Sequence, residues 1–177
     1  LRPPCQSWQL PATVNRRSRA AAPADLRAAA TSGSVTATLA DGATATLADL
    51  TVSGNASATT NTDTSGAAGA LSRLEDKATV AINASNITTL TGSYADLNTA
   101  FTANSNGSIS GLGNEAVNVN SGTTSTAQAN ILAAATSGAV TATLSDGDMA
   151  TLADLPDTGH AYSLPITDNS VAADALN

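Results

Sequence analysis

"LRAAATSGSVTATLADGATATLADL" (residues 26–50) returns as "ILAAATSGAVTATLSDGDMATLADL" (residues 131–155), 105 residues further on, with 19 of 25 positions identical. A chain that repeats so long a stretch is built by duplication, and its internal period constrains the fold before any single residue does. The correspondence runs on to "TDTSGAAGAL" (62–71) and "TDNSVAADAL" (167–176). The second copy therefore stops in mid-unit. With Leu1 rather than Met at its start, the chain reads as a piece of something longer.

A finer period lies inside the long one. Alternating segments at 34–39, 55–62, 79–84, 116–120, 139–144 and 160–167 predict strands. Their centres lie about 22–23 residues apart, with one wider gap near 37. Between them, 43–50, 66–77, 95–101, 126–135 and 149–155 predict short helices. Asp41, Ser65, Asp146 and Ser170 stand where an N-cap is expected, and the Ser-Gly pairs at 32–33 and 137–138 suit a left-handed exit.

The side chains suit thin layers. There are 38 alanines and 26 threonines, but only four aromatic residues, Trp8, Tyr94, Phe101 and Tyr162. Such a chain buries many small groups by stacking like units, each too slight to cover its own apolar face. Strand, turn, short helix and return at this spacing predict an α/β fold, a leucine-rich-repeat-like solenoid of short parallel strands and short helices. An all-β solenoid or sandwich is the alternative, ranked second because "LSRLED" and "AQANILAAA" favour helix. Residues 25–177 would form the repeat region, about one and a half copies of the unit. The segment 92–116, holding Tyr94 and Phe101, reads as a decorated repeat or a binding insertion. Residues 1–24 carry four of the six prolines and three clustered arginines, and read as a disordered or non-native leader.

Charge and composition exclude several roles. From Ala28 onward 13 acidic residues face Arg73 and Lys77 alone, which argues against nucleic acid as a partner. Neither a signal peptide nor a run of 18 apolar residues occurs, so no membrane insertion is expected. Cys5 and His160 are the sole cysteine and histidine, too few for a zinc site or a nucleophile–base pair. The EF-hand and nucleotide-loop patterns are missing too. No catalytic residue, metal or cofactor is expected, and the chain is not read as an enzyme.

What remains is the open face of the strands. Val35, Ala37 and Leu39 alternate with Thr36 and Thr38; Val80, Ile82 and Ala84 with Ala81 and Asn83; Val117 and Val119 with Asn118 and Asn120. Thr141 and Thr143 repeat the Thr-x-Thr spacing, hydroxyls ~7 Å apart along a strand. Thr36, Thr38, Asn83, Asn118, Asn120, Thr141 and Thr143 are thus the candidate binding residues, for a glycan or a surface protein. The intervening asparagines break any continuous threonine array of the kind that orders ice.

"ATVAINASNITTLTGSYADLNTAF" (78–101) followed by "ISGLGNEAVNV" (109–119) resembles the repeats of very large bacterial cell-surface proteins, common in marine cyanobacteria and often labelled haemolysin-like. The resemblance covers about residues 25–177. It implies an extracellular or cell-surface location and a structural or adhesive spacer, with neighbouring repeats of the same chain as its first partners.

Overall fold

A strand of three residues cannot hold itself together, so the strands here exist only as members of a sheet. The computed structural model describes residues 63–78, 80–156 and 159–168. In chain order they form β1 (Ser65–Ala67), α1 (Ala68–Glu75), β2 (Ile82–Asn83), β3 (Thr89–Ser93), α2 (Tyr94–Ser105) and β4 (Ile109–Ser110). There follow β5 (Ala116–Ser121), α3 (Thr126–Ala135), β6 (Val140–Thr143), α4 (Met149–Leu152) and β7 (Ala161–Ser163). Five strands make an open sheet in the order β1-β3-β5-β6-β7, while β2 pairs with β4 in a second, two-stranded sheet. Every pair among the described residues is parallel. Parallel neighbours require the chain to cross back between them, and the helices lie in those crossings. The fold is α/β with a parallel sheet and short helices, which sets aside the all-β alternative. The expected leader at 1–24, the strands at 34–39 and 55–62, the helix at 43–50 and the caps Asp41 and Ser170 lie outside the described residues.

The register fixes the true spacing. Ser65 pairs with Thr89, Thr89 with Ala116, Val117 with Val140 and Thr141 with Ala161, so each strand answers one 20 to 27 residues away. The expected gap near 37 residues disappears, because β3 fills it. "TLTGS" holds a single large apolar residue, Leu90, so its alternation is invisible in sequence. Conversely 79–84 yields only Ile82–Asn83, in the small second sheet. The segment 92–116, read as a decorated repeat or a binding insertion, carries the end of β3, α2 and β4.

One face of the large sheet is buried. Leu90, Val117 and Val140 are registered side by side and essentially inaccessible. Leu71 and Leu74 of α1, Leu97, Ala100 and Phe101 of α2, and Ala129 and Leu132 of α3 join them, with Ile82 and Ile109 of the second sheet. In α2 the spacing Leu97, Ala100, Phe101 is the i, i+3, i+4 stripe that turns one helix face inward. Phe101 belongs to this core, and Tyr94, partly buried, packs against it. The stacked rings are His160 and Tyr162, with centroids 5.7 Å apart.

Helix ends differ from expectation in an instructive way. Ser65 lies inside β1, and α1 follows Ala67 with no side-chain cap. Ser93 caps α2, Ser125 forms a full capping box with Gln128 at α3, and Asp148 rather than Asp146 caps α4. Gly138 is not in the left-handed region. It is glycine because a Cβ there would run into the Glu115 carbonyl. The left-handed exit belongs to Gly107 (φ +82°), where Ser108 N–H reaches back to the Ala103 carbonyl at 3.0 Å and closes α2.

These assignments predict a graded series in urea denaturation. Ser125→Ala should cost about 1 kcal/mol and Leu90→Ala about 3 kcal/mol. Gly138→Ala should fall at the severe end, on the order of 2–4 kcal/mol, because backbone must move. A Gly138→Ala variant as stable as the parent would refute the close approach.

Candidate functional site

The solvent face of the large sheet is built by the same alternation that fills the core. Asn118 and Thr141 stand on one exposed rung, flanked by Thr91 of β3 and Ala161 of β7. Thr143 is registered with Ser163 on the next rung. The structure thus brings Asn118, Asn120, Thr141 and Thr143 together on β5 and β6, all exposed. Asn83 does not join them. It sits on β2, paired with Ser110, and its Oδ1 accepts the Ser85 N–H at 3.0 Å in a local turn. Thr36 and Thr38 lie outside the described residues.

Asn120 has a special position. Gly92 pairs with Val119 but Ser93 pairs with Ser121, so Asn120 is the extra residue of a β-bulge. Bulges are rare between parallel strands and re-aim a side chain. This one borders an open cleft of about 530 Å³ at the carboxyl ends of β1, β3 and β5. Ser93, Asp96, Asn120, Ser121 and Arg73 supply its polar lining, and Ala67, Gly69, Ala70 and Gly92 its small apolar floor. Asp96 is held in place, since its Oδ2 accepts the Ser93 hydroxyl at 2.8 Å and its N–H donates to Ser93 Oγ at 3.2 Å. The sequence reading missed this cleft. The signal was Ser93-Tyr-Ala-Asp96, a helix-start pattern that also marks where β3 must end.

Other polar groups are engaged in structure. His160 Nδ1 accepts the Val140 N–H at 3.0 Å, so the ring closes a gap in the sheet. Glu115 is buried, its Oε2 accepting Gly113 N–H at 2.8 Å and Asn114 N–H at 3.0 Å, which locks the turn into β5. Burial pushes the Tyr162 hydroxyl to a higher pKa than usual. Among the described residues no three His, Cys, Asp or Glu side chains gather as a metal site requires. No helix there is long and apolar enough to cross a membrane.

The most structured electrostatics lie at the helix starts. Asp146 Oδ2 accepts the Thr126 N–H of α3 at 2.7 Å, reaching back 20 residues into the preceding unit. Asp168 Oδ2 accepts the Met149 N–H of α4 at 3.0 Å in the same manner, 19 residues back. Asp148 accepts both the hydroxyl and the N–H of Thr151. The Thr126 N–H holds the Asp146 carboxyl below the usual aspartate range, and the Thr151 hydroxyl does the same for Asp148.

No family model matches the chain, and no match is found among curated proteins or solved structures.

Because both carboxyls titrate lower in the folded state, their stabilisation is complete above about pH 5 and is lost as pH falls through 3.8 toward their folded values. Melting temperature followed from pH 6 to pH 2 should therefore fall less steeply below pH 4 in the double variant D146N/D148N, whose amides do not titrate. Parallel profiles would show that these caps do not couple folding to protons.

Proposed function

We propose that the chain is a segment of an α/β solenoid serving as a structural or adhesive spacer of a large bacterial cell-surface protein, without catalytic activity. The observation that carries this reading is the strand order. β1, β3, β5, β6 and β7 are laid down side by side in the order of synthesis, all parallel. An arrangement of that kind has no intrinsic stopping point, because the last strand offers the edge on which the next is added.

Side-chain bonds between units support it. Thr88 Oγ1 reaches the Thr64 carbonyl at 3.0 Å, Thr136 Oγ1 the Glu115 carbonyl at 2.7 Å, and Asn130 Nδ2 the Asp154 carbonyl at 2.8 Å. Each spans 21 to 24 residues, one unit. The 105-residue duplication supports a rod that lengthens by copying, and a net charge of −7 would keep neighbouring rods apart. The surface location rests on the resemblance of residues 25–177 to bacterial cell-surface repeats.

Chains extended by one and two further 105-residue copies test the reading by small-angle X-ray scattering. Each copy contributes four or five strands at about 4.8 Å, so the maximum dimension should grow by roughly 20 Å per copy at constant cross-section. Growth in all directions at once would reject the rod.

A further inference from the structure

We propose that the cleft at the carboxyl ends of β1, β3 and β5 binds an acidic saccharide, a uronate unit within a glycan chain. The claim is independent of whether the units extend a rod.

Three observations converge on it. The first is Arg73. Only two basic residues follow position 27, and Arg73, exposed on α1 and lining the cleft, makes no ion pair with the described residues. Asp96, the other charged group of the lining, accepts the Ser93 hydroxyl at 2.8 Å and keeps its own charge, but makes no ion pair with Arg73 among the described residues. Its guanidinium presents a planar fork of donors that matches a single carboxylate or phosphate group, and its one positive charge balances one anionic group rather than several.

The second is the bulge that sets Asn120 out of register, beside Ser121, on the rim opposite α1. An amide and a hydroxyl offer both donors and acceptors, which is what ring hydroxyls need. Asp96 Oδ1 adds an acceptor. The third is what the cleft lacks. Its apolar lining is alanine and glycine, with no ring or large aliphatic group to receive a base or a lipid tail. Gly92 packs β3 closely on α1, since a Cβ there would come within 3.2 Å of the Ala68 side chain. A volume of about 530 Å³ accommodates a sugar ring. The cleft is open, and the rung of half-buried Thr91 and exposed Asn118 and Thr141 continues from it, so a chain rather than an isolated ring fits the surface.

Isothermal titration of the full chain with tri-galacturonate, the uncharged β-1,4-galactotriose and galacturonate monomer tests this. The acidic trimer should bind one to one and at least tenfold more tightly than either the neutral trimer or the monomer. Arg73→Gln should weaken it about tenfold or more, as expected for loss of a charge-assisted bidentate contact, with Arg73→Lys intermediate. Asn120→Ala should weaken binding of the acidic trimer severalfold, whereas Thr102→Ala, on the exposed face of α2 outside the cleft, should leave it unchanged. Arg73 and Asn120 are exposed, so melting temperatures should stay at the parental value and separate loss of binding from loss of fold. No binding of the acidic trimer, equal binding of the neutral one, or full affinity in Arg73→Gln would each overturn the proposal. A monomer as tight as the trimer would overturn the glycan-chain part and assign the site to free uronate.

Discussion

Among the described residues, the units that hold α3, α4 and β6 borrow backbone partners from the chain that follows them. α3 receives an acceptor for its first N–H from Asp146 in the unit that follows, and α4 from Asp168. β6 likewise closes one donor on the ring of His160, 20 residues downstream. The bonds at Thr126 and Val140 are partly shielded from water, where an unpaired N–H costs about as much as a lost hydrogen bond, so these two units are complete only beside their successors. The hydrophobic side of the structure obeys the same rule. Leu90, Val117 and Val140 are each slight, and they exclude water only as a registered row.

That dependence explains the composition. Alanine and threonine are poor material for a thick core but good material for closely spaced layers. Alanines Ala68, Ala70 and Ala100 let α1 and α2 approach each other over the sheet. Threonine hydroxyls serve as rivets between units, as at Thr88, Thr91 and Thr136. The few large side chains, Phe101 and the leucines, fill what the small ones leave.

Much of the architecture was legible in the residues. Helix α3 spans the predicted 126–135, and β5 and β6 fall where Val-x-Val and Val-Thr-Ala-Thr alternation put them. What escaped did so for physical reasons. β3 is buried through one leucine and a glycine whose partner atoms lie on α1 and α2, so no alternation betrays it. Asp146 looks like a local cap because caps are sought in the next few residues, whereas its partner is a donor in another unit. The cleft escaped because it is assembled from three strands and two helices, and because a bulge is a property of pairing rather than of either strand alone. The exposed residues Asn118, Thr141 and Thr143 were visible from alternation; Asn83 went astray when a second sheet took it.

The backward reach of Asp146 and Asp168 also sets a direction in time. A ribosome delivers α3 roughly 20 residues before the carboxylate that completes its first turn, and α4 waits in the same way for Asp168. These two helices are therefore finished in the order in which the chain is made, each by a side chain that reaches the folding end after it.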